Sequence, residues 1–189
     1  MKEHGTAQPG GLTGGCALFT DVSLNPLLRI GMGACLVVPA VFLQRSNQDI
    51  ERSEIAGRIV VREFKDTSST KLEVQTVVWA LDEYRNSQPA SGPEQLHVYT
   101  DSQCVAGLLA RRARLERTGF LSTRTHSQIK NAALYRTFYE LSDELGFKVI
   151  KVSGHTRTSS RDTVDHVFSM IDKEVRKALK RHLRTRSNR

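Results

Sequence analysis

Two short apolar runs of the chain, CALFTDV and LHVYT, have an aspartate at their end, Asp21 in the first and Asp101 directly after the second. Runs of this length and composition predict buried β-strands. Strand side chains alternate between faces, so Phe19 shares a face with Asp21, and Tyr99 shares one with Asp101. Open α/β sheets form their sites where strands end, which predicts two carboxylates side by side at one sheet edge. Either aspartate alone is equally well explained as a turn or helix-capping residue.

The order of predicted elements is βββ-α-β-α-α-β-α, which indicates a mixed α/β sheet with helices on its faces. Short connections between the first three strands favour an antiparallel meander, and the later strands add in parallel. The predicted strands are the first apolar run, about Gly31–Val38, Arg58–Phe64, LHVYT and FKVIKV. The predicted helices are Lys71 to about Arg85, Ser102 to about Arg114, about Ser127–Leu145, and one from about Ser160 onward.

A chain of 189 residues suits a single domain. We expect a glycine-rich leader over 1–15, the folded domain over 16–181 and a basic tail over 182–189. The 28 Lys and Arg residues outnumber the 20 Asp and Glu residues, giving a formal charge of +8. That surplus favours a polyanionic partner such as nucleic acid.

The three cysteines have no CxxC spacing and suggest free thiols in a reducing compartment. The first residues lack an apolar signal region, and no apolar run is long enough for a membrane span. We therefore expect a cytoplasmic protein that does not bind a membrane, and we expect a monomer.

Glu73 occupies an unusual position in its predicted helix. It shares a stripe with Val77, Ala80 and Tyr84, so its carboxylate faces the sheet with apolar neighbours. Such a carboxylate is desolvated unless a cation is near. A first-turn glutamate stabilised by the helix dipole is the alternative, which explains the position but not the face. Together with the two aspartates, Glu73 suggests a site for Mg²⁺, which prefers oxygen ligands.

Four segments of the chain resemble, in order, the motif segments of type 1 ribonucleases H: FTDVSLNP, STKLEVQTVVWAL, VYTDSQCVAGLL and KVSGH. The resemblance covers about residues 16–180 and implies a ribonuclease H-like fold. It implies an endonuclease that hydrolyses the RNA strand of RNA–DNA hybrids and leaves 5′-phosphate ends. It also implies that Asp21, Glu73 and Asp101 bind two Mg²⁺ ions, with Mn²⁺ as an alternative metal.

The resemblance leaves two aspartates in competition as the fourth metal ligand. Gly154-His155 matches the family's GH, so His155 is expected to assist proton transfer or product release. Asp165 lies ten residues after His155, which is the usual spacing in cellular members. Asp172 opens DKEVRKAL, which resembles the family's D-x-x-A-R-x-A-like helix segment, and that better match favours Asp172.

Substrate contacts are also implied by the resemblance. Small polar residues are expected to recognise 2′-hydroxyl groups, and a basic segment is expected to hold the DNA strand. The first group is Ser23, Asn25, Ser102 and Asn131, and the second is Arg111, Arg112 and Arg114. Two departures from the family put these contacts in question: the turn after Asp21 lacks the usual DGS-type sequence, and TRTSSRDTV lacks the customary second glycine and asparagine.

Two other functions are compatible with the same residues. The ribonuclease H architecture also serves nucleases that act on other nucleic acids. A hybrid-binding module without catalysis is the second alternative, and the filled carboxylate positions count against it.

Overall fold

The computed structural model describes residues 14–87, 95–152 and 162–187. In these ranges the chain forms a five-stranded sheet of order β3-β2-β1-β4-β5. The strands are β1 Cys16–Asn25, β2 Ile30–Pro39, β3 Val60–Phe64, β4 Leu96–Thr100 and β5 Lys148–Lys151. Pairs β1–β2 and β2–β3 are antiparallel, and pairs β1–β4 and β4–β5 are parallel. The predicted mixed sheet is confirmed.

Helices cover both faces of this sheet. The described ranges contain α1 Arg52–Ala56, α2 Ser69–Ser87, α3 Gln103–Ala106, α4 Leu108–Arg117, α5 Ala132–Leu145 and α6 Thr163–Ser187. Leu18 of β1 packs in one core with α2 and α5, while its neighbour Phe19 packs in a second core with α6. The alternation of strand side chains thus gives Asp21 the face covered by α6.

Three predicted boundaries differ from the structure. Asp21 does not end β1: the strand continues to Asn25 because its antiparallel ladder with β2 extends past the end of β4. The single helix predicted from Ser102 is divided at Gly107 into α3 and α4. The helix predicted from Ser127 begins at Ala132, after Phe120 adopts a left-handed backbone conformation and Leu121 pairs with Gln128.

The connection from β2 to β3 is not the short one expected between the first three strands. It spans residues 40–59 and contains 3-10 turns at Ala40–Gln44 and Asn47–Asp49 as well as α1. Helix α1 contacts α6, so this connection covers the end of the second core.

Helix α6 runs on to Ser187, through most of the segment that the sequence suggested as a basic tail. None of the helices in the described ranges is long and apolar enough to span a membrane.

Two glycines of β2 determine how closely α2 approaches the sheet. A Cβ atom at Gly31 would lie 2.3 Å from Leu72 Cδ2, and one at Gly33 would lie 2.2 Å from Thr76 Oγ1. Leu72 and Thr76 are both fully buried, so neither side chain has free space to move into. Since Leu72 directly precedes Glu73, this contact also sets the position of the Glu73 carboxylate.

We expect Gly31→Ala to destabilise the fold by roughly 1–3 kcal/mol, because the new methyl group overlaps the Leu72 side chain. Urea denaturation measures the loss. Gly57→Ala is the matched control, since a Cβ there would meet only Ser53 O at 3.8 Å. Equal stability of the two variants would contradict the assigned packing.

Candidate active site

Asp21 and Asp101 meet at the junction of β1 and β4. Phe19 pairs with Tyr99 in the parallel ladder, and the same register carried two residues further brings Asp21 beside Asp101. Asp101 directly follows the last residue of β4, while Asp21 pairs with Ala34 of β2 on its other side. The predicted proximity of these two aspartates follows from this register.

The Asp21 carboxyl group is buried and only partly hydrogen-bonded. Its Oδ1 accepts a 2.8 Å hydrogen bond from Val22 N, whereas Oδ2 has no partner within the described residues. Burial, together with the charges of Asp101 and Asp172, raises the pKa of Asp21 to about 8, and Val22 N–H and Arg176 oppose the rise. A carboxylate in this position is therefore unfavourable at neutral pH unless a cation compensates it.

Asp172 lies close enough to Asp21 for its charge to contribute to the raised pKa of Asp21. Asp172 lies on α6, where its Oδ1 accepts a 2.7 Å hydrogen bond from Arg176 Nε. Asp165 lies in the first turn of α6, and its backbone N donates to Asp162 Oδ1 at 2.8 Å. The separation of seven positions between the two aspartates corresponds to about 10 Å along a helix.

Glu73 is held by two hydroxyl groups. Ser102 Oγ donates to Glu73 Oε2 at 2.5 Å, and Ser69 Oγ donates to Oε1 at 3.2 Å. Ser102 also accepts from Val105 N at 3.1 Å as the N-cap of α3, and it directly follows Asp101. These bonds fix the first turn of α2 to the end of β4, so Glu73 lies at the same sheet edge as the aspartates.

Chemistry and burial at this edge fit a divalent cation. Asp21, Asp101, Asp172 and Glu73 supply hard carboxylate oxygens, and the buried Asp21 Oδ2 accepts from no donor in the part of the chain that the structure describes. Within the described residues, however, no three acidic, His or Cys side chains converge closely enough to enclose a metal ion. Asp172 is paired with Arg176 Nε at 2.7 Å. His155 lies outside the described residues.

Two of the three predicted DNA-binding arginines are engaged within the protein. Arg111 donates to Gly107 O at 3.0 Å and to Cys104 O at 2.6 Å. These bonds tie α4 to α3.

Arg112 has three partners of its own. It binds both carboxylate oxygens of Asp143 and donates to Glu116 at 2.7 Å, and it stacks over the Tyr139 ring. Arg114 is exposed on α4, which leaves its guanidinium accessible to a phosphate.

The remaining predicted substrate residues lie at or near the same sheet edge. Ser23 and Asn25 share the α6 side of β1 with Asp21, and both are half-buried. Asn25 Oδ1 accepts from Leu28 N at 3.0 Å, which orders the turn after β1. Asn131 directly precedes α5, and the Ser102 hydroxyl is occupied by Glu73 and Val105.

Arg176 is a site residue that sequence reasoning did not single out. It pairs with Asp172, and its charge lowers the pKa of Asp21. The signal was present, because residues four apart on a helix are neighbours.

A five-stranded mixed sheet with carboxylates from β1, α2 and α6 and from the end of β4 at one edge defines a class of α/β proteins with an acidic site. The model of the RNase H family matches residues 15–179. The chain therefore belongs to the RNase H family.

Solved structures show the same fold at low sequence identity. A foamy viral protease-reverse transcriptase in complex with dsDNA matches with a TM-score of 0.52 and 12% identity, covering 82% of this chain and 90% of that chain. A foamy viral protease-reverse transcriptase in complex with an RNA/DNA hybrid matches with a TM-score of 0.56 and 8% identity. This second match covers 94% of this chain and 22% of that chain. No curated protein matches the chain significantly.

In metal-free protein, Asp21→Asn is expected to stabilise the fold, and more so at high pH. An Asp21 pKa raised from 3.8 to about 8 means that the folded state binds the proton more tightly. The stabilisation of the folded state by this bound proton is complete below about pH 4 and is lost as the pH rises to about 8. Since each pKa unit corresponds to about 1.4 kcal/mol, the gain from asparagine should be roughly 2–4 kcal/mol larger at pH 8 than at pH 5.

Urea denaturation in EDTA at the two pH values measures this difference. Asp165→Asn is the control and should show no comparable pH dependence. An Asp21→Asn effect of the same size at both pH values would refute the described burial.

Proposed function

We propose that this protein is an endonuclease that hydrolyses the RNA strand of RNA–DNA hybrids. The observation that carries the proposal is Asp21 Oδ2, which is buried and has no partner among the described residues, and whose carboxyl group feels the charges of Asp101 and Asp172. Membership of the RNase H family supports the same activity. A cluster of this kind is costly in a purely structural role, because each carboxylate disfavours ionisation of the next.

In the proposed mechanism, Asp21, Glu73, Asp101 and Asp172 would hold two Mg²⁺ ions, with Mn²⁺ as an alternative. When bound, such ions would activate a water and stabilise the leaving oxygen of a phosphodiester, so that the products would carry 5′-phosphate ends. The protein contributes position: Ser102 and Ser69 orient Glu73, and the β1–β4 register sets the two aspartates side by side. His155 assists proton transfer or product release.

Several features favour an RNA–DNA hybrid as the substrate. Ser23 and Asn25 lie on the Asp21 face of β1, where small polar groups are suited to contact 2′-hydroxyl groups. Arg114 is exposed on α4, where it can contact a phosphate of the DNA strand. The net charge of +8 favours a polyanion. One of the similar structures was solved with an RNA/DNA hybrid.

A nuclease for another nucleic acid is the second candidate, since the other similar structure was solved with dsDNA. A non-catalytic hybrid-binding module is the third. It leaves the clustering of the carboxylates around Asp21 without a purpose.

We expect the protein to cleave an end-labelled RNA–DNA hybrid in Mg²⁺, to leave 5′-phosphate ends, and to be inactive in EDTA. Duplex DNA and duplex RNA of the same sequence should stay intact. Glu73→Gln should lower turnover by at least about a hundredfold while hybrid binding changes little, because it removes a ligand and leaves the surface intact. Cleavage of duplex DNA alone would support the second candidate, and hybrid binding without cleavage would support the third.

The two aspartates of α6 are separated by a matched pair of variants. Asp172→Asn should lose at least about a hundredfold in turnover, because the Asp172 carboxylate is the one on α6 whose charge acts on Asp21. Asp165→Asn, one heptad away on the same helix, should keep activity within about threefold. The reverse ranking, measured on one hybrid at saturating Mg²⁺, would reassign the fourth ligand to Asp165.

A further inference from the structure

Positive charge is concentrated on the second half of α6. Residues 173–187 contain seven Lys and Arg residues and one acidic residue, Glu174. This segment therefore accounts for most of the formal charge of +8 of the whole chain. Such a local excess produces a strong positive potential over one part of the surface.

Four of these residues form one outward stripe: Lys173, Lys177, Lys180 and Arg184, spaced by four, three and four residues. This spacing puts them on a single helix face, and all four are exposed. The opposite face is buried through Ile171, Val175 and Leu179. Lys177 lies 3.5 Å from Glu174, whereas Lys180 and Arg184 form no ion pair within the described ranges.

The stripe is held on the folded domain. Leu179 is buried in the second core and Leu183 packs against it. His182 Nδ1 lies 3.3 Å from Glu63 Oε2 of β3, and Arg52 lies 3.6 Å from Glu174. The end of α6 is therefore a fixed surface, and its charges need not be ordered when a ligand binds.

The stripe begins beside the candidate active site and leads away from it. With a rise of 1.5 Å per residue, Lys180 lies about 12 Å and Arg184 about 18 Å along the helix from Asp172. The match to the RNase H family model ends at residue 179, so Lys180 and Arg184 lie beyond the matched residues.

We propose that this outward stripe of α6 is a second nucleic-acid contact surface, which binds backbone phosphates of the duplex at a distance from the cleavage site. The proposal rests on the proposed function for the identity of the duplex. Lysine and arginine heads on a helix contact phosphates without reading sequence, so the surface adds affinity rather than base specificity.

A membrane is the less suitable partner for this helix. Amphipathic helices that bind membranes bury an apolar face in the lipid, but the apolar face of α6 is already packed on the sheet. Its outward stripe contains only basic residues, which matches a row of phosphates. Proximity to Asp172 makes the duplex in the active site the most accessible source of them.

The test compares Lys180→Ala/Arg184→Ala with Lys148→Ala, a control that removes an exposed positive charge on β5, at the sheet edge farthest from β3 and the end of α6. Alanine favours helix, so the α6 variant should fold, which circular dichroism checks. Binding of a labelled hybrid of about 30 base pairs is measured by anisotropy in EDTA over a range of salt concentrations. The α6 variant should bind several-fold more weakly, and its slope of log K against log salt should be shallower by about two. The control slope should not change.

Cleavage of the same hybrid at saturating concentration keeps the two proposals apart. The α6 variant should keep the wild-type kcat, because its active site is intact. An unchanged salt slope in the α6 variant, or the same change in the control variant, would overturn the proposed surface. So would a variant that binds the hybrid normally but loses binding to anionic phosphatidylserine vesicles. A shallower slope in a protein that cleaves no hybrid would support the surface and overturn the proposed activity.

Discussion

The carboxyl group of Asp21 lies buried on the face of the sheet that α6 covers, on the central strand between β2 and β4. The rest of the site is arranged around this group. Burial and two neighbouring carboxylates raise its pKa to about 8, against one backbone hydrogen bond and the Arg176 guanidinium. A protein that keeps such a group loses stability at neutral pH. The arrangement is explained if a divalent cation restores the lost stabilisation.

The sheet topology makes this cluster possible. Strand β1 pairs in antiparallel with β2 on one side and in parallel with the shorter β4 on the other. The middle of β1 therefore lies beside the end of β4. Helix α6 brings Asp172 to one face of β1, and α2 brings Glu73 to the sheet edge from the other face. Gly31 and Gly33 let α2 approach closely enough for the Ser102 hydroxyl to reach Glu73.

Part of this arrangement could be predicted from the sequence. The apolar runs before Asp21 and Asp101 predicted parallel neighbours, and the stripe with Val77 and Ala80 predicted the direction of Glu73. The length of β1 could not be predicted, because it depends on pairing with β2 after β4 has ended. The local sequence of β1 contains no signal for that pairing.

Side-chain partners were also beyond the sequence. Arg111 and Arg112 had the composition of a phosphate-binding segment, yet Arg111 binds carbonyl groups of α3 and Arg112 binds Asp143 of α5. Both partners depend on how α4 packs, which no local pattern encodes. Which of Asp165 and Asp172 acts on Asp21 likewise depends on the position of α6 over β1. The end of α6 is ordered helix where composition suggested a tail.

The central claim is that the carboxylates around Asp21 bind a divalent cation. A crystal structure of the protein with Mn²⁺, with an anomalous difference map to locate the metal, tests this claim most directly. We expect an anomalous peak about 2.1 Å from Asp21 Oδ2, with Asp101 or Asp172 as a second ligand and Asp172 released from Arg176. An anomalous peak elsewhere, or an unaltered Asp172–Arg176 pair at saturating Mn²⁺, would contradict the account.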